Sequence, residues 1–494
     1  MPSNTTVTGD KTHAVNCSRN ETVLSALRRH GITIRAFCNG RGNCGKCRVK
    51  VDHPDIDTAS AYELKLLSDE DIKAGIRLAC FAVAVADIDK LMVTVIDDPD
   101  NGAAILTDTG ILEQKLSDLN PSDLFNPDLT NLLSAENTGI YSPDIFAAFD
   151  LGTTTIAAKL VRDGVTEYTG TRLNSQSGYG ADVISRSEAS INGHGDKLAE
   201  CIRHDIDSLL DEFPYKPARL IFSGNTTIIH LLMGYPLDEM VHFPFRPYFT
   251  GWIKDTYTTA SGSLIPMYII PAQSAYIGGD IVSGLYYCDF ASSDKVSAFV
   301  DLGTNGEMAV GNRDRILTAS AAAGPAFEGT RINVATDVVK CIAYLKEYRI
   351  IDENGLLRDP YFDSGYAYDL GNGEHVVITQ KDIRDIQMAK SAIRAGLEIL
   401  MERYGVNPSD IDRLYLAGGM GYSLDIDAAL SIGLFDERLK YKAIPAGNTS
   451  LAGCIKYGSS GLDEAIDSIL ASSTEIILSN EPDFPAKYYE YMTF

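Results

Sequence analysis

Apolar and polar positions along this chain follow more than one period, and the changes of period divide it. Short alternating runs at Cys47–Val51 and Leu91–Val95 read as strands with one buried face, because successive strand side chains point to opposite sides. Glu21–His30 carries Val23, Leu24 and Leu27 at helical spacing, which predicts a helix with Asn20 as N-cap and Gly31 at its stop. Residues 98–142 lose both periods. Small apolar pieces (Ile111-Leu112, Leu132-Leu133) stand among Asn, Asp, Ser and Pro, which predicts a mobile tether with one short helix at most. From residue 143 a new grammar begins. IFAAFDLGTTTIAAKLV (145–161) is an apolar strand, a tight turn and a second apolar strand, and the same unit returns as VSAFVDLGTNGEMAVG (296–311). Asp150 and Asp301 occupy equivalent places in the two copies, so the repeat predicts a duplicated subdomain. Further on, Lys381–Arg403 shows Ile383, Ile386, Ala389, Ile393, Leu397 and Leu400 on one helical face behind Thr379 as cap. The strand-like DRLYLAGGMG (412–421) then ends in a double glycine.

These shifts predict an α/β multi-domain chain. Its parts are a small domain at 1–97, a linker at 98–142, and a large duplicated domain at 143–494 with halves near 143–295 and 296–494.

Four cysteines give the first domain its chemistry. Cys38, Cys44 and Cys47 read C-x5-C-x2-C, and Cys80 follows alone. A [2Fe–2S] cluster needs four thiolates, and plant-type sites take three from one loop and one from afar. Gly40, Gly42 and Gly45 let that loop curl so that backbone amides point at sulfur. Zinc is the competing reading, but zinc sites commonly pair two C-x2-C knuckles and Cys80 has no such companion. The longer first gap resembles adrenodoxin-like ferredoxins, which implies a β-grasp fold for residues 1–97.

The duplicated hairpins suit phosphate. In Asp-Leu-Gly-Thr turns, glycine and small threonines expose backbone amides and hydroxyls, and the preceding carboxylate can hold Mg²⁺ through water. Gly152, Thr153 and Thr154 in one copy, and Gly303, Thr304 and Asn305 in the other, are therefore expected to clamp a phosphate chain. Gly418 and Gly419 would let an adenine and ribose approach the backbone. Asp150 and Asp301 are the expected Mg²⁺ and phosphate residues, and Glu307 is a candidate for activating water.

In this order the motifs resemble the acetate and sugar kinase, Hsp70 and actin superfamily (ASKHA), with its duplicated RNase H-like fold. Asp150–Thr155 matches the first phosphate motif, Asp301–Gly306 the second, and Leu416–Gly419 the adenosine motif. With the cysteine motif in front, the chain resembles the ATP-dependent reductive activators of corrinoid proteins. NSQSGYGADVISR (174–186), SGNTTIIHLL (223–232), SAAAGPAFEG (320–329) and AGNTSLAGC (446–454) also fit that family. The resemblance implies one-electron reduction of a corrinoid from inactive Co(II) to Co(I), with ATP, Mg²⁺ and a [2Fe–2S] cluster as cofactors. It further implies a homodimer, a corrinoid protein of a methyltransferase system as partner, and an external low-potential electron donor. Family members often carry another small domain after the cluster, whereas residues 98–142 are too few to bury a core.

Charge narrows the partners. The formal net charge is −24, but residues 1–97 carry 13 Lys/Arg against 12 Asp/Glu, so the remainder is strongly acidic. Such a surface argues against nucleic acid. No apolar stretch approaches the ~18 residues of a membrane span. The N-terminus shows no apolar signal core, and an odd count of nine cysteines argues against a disulfide framework; a cytoplasmic location is expected. Among lesser candidates, Gln176, Asp182, Asn225, Thr226 and Glu328 could line the cleft or serve as turn and cap residues. Rival functions are a ferredoxin-fused metabolite kinase, a nucleotide-switched redox sensor, and an activator of 2-hydroxyacyl-CoA dehydratase type. The last uses a [4Fe–4S] cluster for which no paired cysteine motif is evident.

Overall fold

The computed structural model describes residues 11–32, 34, 36, 40, 45–96, 144–303, 305–322, 335–369 and 375–494. The tether at 98–142 and the residues Cys38, Cys44, Thr304 and Glu328 lie outside them.

The N-terminal unit is a four-stranded sheet in the order β1-β4-β2-β3, from β1 (Lys11–Cys17), β2 (Arg48–Lys50), β3 (Ile76–Leu78) and β4 (Ile88–Val95). β1 and β4 run antiparallel, with Lys11 opposite Val95 and Val15 opposite Leu91. Alternation puts Val15, Val49, Leu91 and Val93 on one face, where they bury the apolar side of the helix Val23–Arg29. That helix starts later than its sequence suggests. Asn20–Val23 pairs instead with residues 82–84, through Asn20 N to Ala84 O at 2.7 Å and Val23 N to Ala82 O at 2.8 Å. Thr22, not Asn20, is the N-cap and accepts from Ser25 N, while Asn20 takes a left-handed φ of 65°. Pairing to the Cys80 loop overrides the local cap signal.

The large unit contains two six-stranded sheets. The first runs β7-β6-β5-β8-β10-β9, from β5 (Ile145–Leu151), β6 (Thr155–Arg162), β7 (Val165–Leu173), β8 (Arg219–Gly224), β9 (Ile253–Thr258) and β10 (Leu264–Ile269). The second runs β17-β16-β11-β12-β13-β18, from β11 (Ser297–Leu302), β12 (Gly306–Asn312), β13 (Arg315–Ala321), β16 (Leu414–Ala417), β17 (Ala443–Gly447) and β18 (Ser473–Glu475), while β14 (Tyr366–Asp369) and β15 (His375–Ile378) form a separate antiparallel pair. Three antiparallel strands followed by two parallel ones recur in both, so β5 corresponds to β11 and β8 to β16. β5 and β11 are nearly all apolar because helices cover both faces of each sheet. Between the sheets the helices Gly279–Tyr287 and Thr449–Ser460 pack on each other, with Phe146, Ile221, Phe299 and Tyr415 closing the seam. The long helix is present as Gln380–Tyr404, capped by Thr379 in a capping box with Asp382, and its apolar face lies on the second sheet. Among the described residues, no helix is long and apolar enough to cross a membrane.

Candidate functional site

Two groups of side chains carry chemistry. In the first unit, Cys47 just ahead of β2 and Cys80 just after β3 bring their sulfurs to 3.4 Å. Two thiolates on one tetrahedral metal with bonds of ~2.3 Å sit about 3.7 Å apart, so this pair fits two ligands of a single iron. Ala79 N donates to Cys47 O at 2.8 Å, which ties the two segments together. Gly40 (φ 80°) and Gly45 (φ 67°) take the left-handed turns expected of the loop. A side chain at Gly40 would lie 3.3 Å from Leu24 and 3.9 Å from Cys80, so the loop closes directly over the helix. Cys38 and Cys44, the other two expected ligands, lie outside the described residues. Behind Cys80, Glu63 is fully buried and accepts from Arg77 Nε at 2.8 Å and Leu78 N at 3.1 Å. Burial alone would raise its pKa, but these hydrogen bonds outweigh it and hold Glu63 below the usual carboxylate range.

The second group lies in the cleft between the two sheets. Asp150 near the end of β5 and Asp301 near the end of β11 come from the two copies of the repeat, as the sequence predicts. Glu307 is the direct cross-strand partner of Asp301, and Asn305 hydrogen-bonds it. A fourth carboxylate, Asp280, joins them from the first turn of the Gly279–Tyr287 helix. All four are surrounded by protein yet keep partial access to solvent at the cleft floor. Desolvation, with the neighbouring acids second, pushes Asp280 and Asp301 up to about 7 and Glu307 well above its ordinary value. Asp150 is raised by burial but restrained by hydrogen bonds from Ser450 and Asn448. Among the described residues no three acids, histidines or cysteines converge closely enough to ligate a metal directly, so a cation here would be held largely through water. The donor chemistry nonetheless fits a hydrated divalent cation, since the acids sit together at one end of both sheets.

The turns around these acids are the ones the sequence offers for phosphate, and the first of them is tightly built. A Cβ on Gly152 would stand 2.6 Å from Thr155 O, so only glycine fits the first turn. Asn174 braces that turn, donating from Nδ2 to Gly152 O at 2.9 Å and from its backbone to Thr154 O at 2.9 Å. Thr153 and Thr154 lie in the same turn, and Gly303 and Asn305 in its counterpart. Gly418 has φ 79°, and a Cβ there would come within 2.5 Å of Asp301 Oδ1; Gly419 faces open space. The double glycine thus touches the second aspartate and leaves room beyond it.

Four other candidates make scaffold contacts. Asp182 caps the helix Val183–Ala189 and Gln176 donates to Leu198 O at 2.9 Å. Asn225 caps the helix Thr226–Met233, and Thr226 donates to Ser274 O. Sequence reading missed Asp280, Asn448 and Ser450 as site residues. Their one signal is the duplication: IGGD after β10 stands where AGNTS stands after β17.

Comparison with known proteins agrees with this architecture. A family model for a 2Fe-2S iron-sulfur cluster binding domain matches residues 6–85. One described as the RACo middle region matches 146–293, on the first half of the duplicated unit. One described as the C-terminal domain of RACo, the ASKHA domain, matches 295–340 and 335–494. The corrinoid activation enzyme RamQ of Eubacterium limosum is 24% identical and aligns over 96% of each chain. A [Co(II) methylated amine-specific corrinoid protein] reductase of Methanosarcina barkeri is 31% identical over 37% of this chain and 42% of its own. A solved reductive activator for corrinoid, iron-sulfur protein superposes with a TM-score of 0.65 at 25% identity, over 97% of this chain and 96% of that one. With the cluster domain in front and both RACo regions behind it in order, this chain belongs to the family of ATP-dependent reductive activators of corrinoid proteins.

Proposed function

We propose that this chain reduces the inactive Co(II) form of a corrinoid protein to Co(I) and couples that one-electron step to ATP. The observation that carries the reading is the joining of a thiolate loop, Cys47 and Cys80, to a paired-aspartate cleft, Asp150 and Asp301, in one chain that aligns end to end with a corrinoid activation enzyme. A [2Fe–2S] cluster held by Cys38, Cys44, Cys47 and Cys80 supplies a one-electron centre. Ferredoxin-type potentials lie near −400 mV, and each ~59 mV of uphill gap costs a factor of ten for one electron. ATP can close such a gap only by favouring one conformation or one complex over another.

In this reading Asp150 and Asp301 orient a hydrated Mg²⁺ on the phosphate chain and Glu307 positions water. The turns Gly152–Thr154 and Gly303–Asn305 donate to phosphate, and Gly418-Gly419 admit the adenosine. The chain divides at 1–97, 98–142 and 143–494, with 98–142 as the tether that lets the cluster domain meet both its donor and the corrinoid. A flexible chain of that length spans roughly 35–40 Å root mean square. An external low-potential reductant, a homodimer formed by the large unit, and a cytoplasmic setting complete the proposal.

The test is spectroscopic. A Co(II) corrinoid protein with a low-potential reductant, this protein and Mg-ATP is expected to develop the Co(I) absorption band. Without ATP, or with Cys44→Ala, the Co(II) spectrum should persist. Several corrinoid proteins belong in the test. Phosphorylation of acetate or a sugar with no Co(I) formed would establish the kinase alternative instead.

A further inference from the structure

The two copies of the repeat do not hold their aspartates in the same way. Asp150 on the first sheet has both carboxylate oxygens taken by the tip of a helix from the second half. Asn448 Nδ2 donates to Oδ2 at 2.8 Å, and Ser450 Oγ donates to Oδ1 at 2.7 Å. An ionised carboxylate only accepts, so Ser450 spends its proton there and Ser223 Oγ, 2.5 Å away, donates to it in turn. Ser223 is the β8 residue registered beside Asp150, and Ser283 Oγ donates to Ser450 O at 2.8 Å. The tip is thus bonded to β5, to β8 and to the neighbouring helix.

Packing denies that tip freedom. A Cβ on Gly453 would lie 2.2 Å from Ser283 O, and one on Gly284 would lie 2.7 Å from Thr449 Oγ1. The helices Gly279–Tyr287 and Thr449–Ser460 therefore touch backbone to backbone. At the far end, a Cβ on Gly458 would meet the Phe146 ring at 2.3 Å. Asn448 is fixed at both ends of its amide, since its Oδ1 caps the helix by accepting from Leu451 N at 2.8 Å.

The matching place in the first half is built differently. There the N-cap is Gly278, which has no side chain, and the residue equivalent to Ser450 is Asp280. Among the described residues no side chain donates to Asp301, and its foremost charged neighbour is Asp280. Among the described residues, Asp150 is oriented by side-chain donors and Asp301 is not.

We propose that Asn448 and Ser450 are positioning residues that fix the Asp150 carboxylate for the metal–nucleotide before it arrives. The inference rests on the reading of Asp150 as a Mg²⁺-side residue. A preorganised carboxylate needs no reordering on binding, which is where such devices act. The signature is a loss of metal affinity without a loss of nucleotide affinity.

The probe is Mn²⁺ in place of Mg²⁺, with free Mn²⁺ followed by EPR on the full-length protein at saturating ADP. Ser450→Ala and Asn448→Ser are each expected to weaken Mn²⁺ binding about tenfold, the effect of losing one hydrogen bond to a charged group. Serine caps a helix as well as asparagine but is one atom too short to reach Asp150, so the unfolding midpoint of Asn448→Ser should hold. ADP affinity in EDTA should stay within about twofold of the parent. Asp150→Asn is the control. If it weakens Mn²⁺ binding while both variants bind as the parent does, the positioning role is wrong. If Asp150→Asn also binds Mn²⁺ normally, the reading of Asp150 has failed instead. Equal losses of Mn²⁺ and metal-free ADP binding, with a lowered midpoint, would mark the pair as merely structural and overturn the proposal.

Discussion

Four carboxylates share one cleft, and what distinguishes them is the company each keeps. Asp150 has two protein donors, whereas Asp301, Glu307 and Asp280 mainly have one another. Removing the Asp301 charge by Asp301→Asn should lower ATP turnover by about 10²–10³, the scale of losing one preorganised electrostatic partner. Turnover at the parent rate would remove Asp301 from the site. Asp280→Asn tests the residue that sequence reading missed and is expected to depress turnover on the same scale. The raised carboxyls also have a stability consequence. Asp301 goes from an ordinary value of 3.8 to about 7 on folding, so its folded form holds the proton more tightly. That contribution is present below about pH 4 and is lost as pH rises toward 7. Metal-free protein should therefore show a falling unfolding midpoint between about pH 4 and pH 7. Asp301→Asn should flatten part of that slope, and an unchanged slope would count against the burial of this charge. At the other site, Cys80→Ser should abolish the reduced-state EPR signal of the [2Fe–2S] cluster while leaving ADP binding intact; four irons or zinc per chain would contradict the assignment.

Elements matter here where tertiary pairing overrides local preference. The first helix loses its opening residues because Asn20–Val23 spends its backbone on the Cys80 loop. Glu63 and Arg77 brace the same loop, with Asp57 accepting from Arg77 Nη1 through its carbonyl and from Val83 N through its carboxylate. Glu63 is held below its ordinary value, so its contribution is present above the unfolded pKa and is lost as pH falls through the lower folded one. Glu63→Gln should weaken the bracing, because a neutral amide leaves a buried Arg77 short of its partner charge. At neutral pH Glu63→Gln is therefore expected to lose cluster faster on heating than the parent, and the difference should shrink only as pH falls below 4.5, the ordinary value, where the parent's own Glu63 begins to take up a proton. Equal cluster retention in parent and Glu63→Gln at every pH would sink that account. The glycine turns are the other element-scale constraint. Gly418→Ala places a Cβ at φ 79° and within 2.5 Å of Asp301 Oδ1, so it should weaken ADP binding while sparing the cluster.

At the scale of the molecule, the duplication builds a seam. The helices Gly279–Tyr287 and Thr449–Ser460 are crossed between two sheets of matching strand order, and each helix presents its first turn to the cleft. A ligand that bridges the cleft should therefore stabilise both halves at once. Mg-ADP is expected to raise the unfolding midpoint of the large unit as mass action requires, with the EPR line shape of the cluster unchanged. A line shape that changes with nucleotide would show the two units in contact during the cycle.

The sequence by itself determined the kinds of site and the order of the parts. Cysteine spacing, the repeated DLGT hairpin and the late double glycine are local signals, since each depends on a few neighbouring residues with fixed backbone needs. The long helix was equally legible, because its cap and its apolar face lie within one element. Only the tertiary structure decided which residues from elsewhere complete those sites. Asp280, Asn448 and Ser450 reach the cleft because two helices cross between the sheets, and no local period records a hydrogen bond between residues 298 and 300 positions apart. The start of the first helix was settled in the same way, by strand-like pairing to residues 82–84. Local chemistry is written in the order of residues, while the balance of charge at a site depends on which distant groups the fold brings to it.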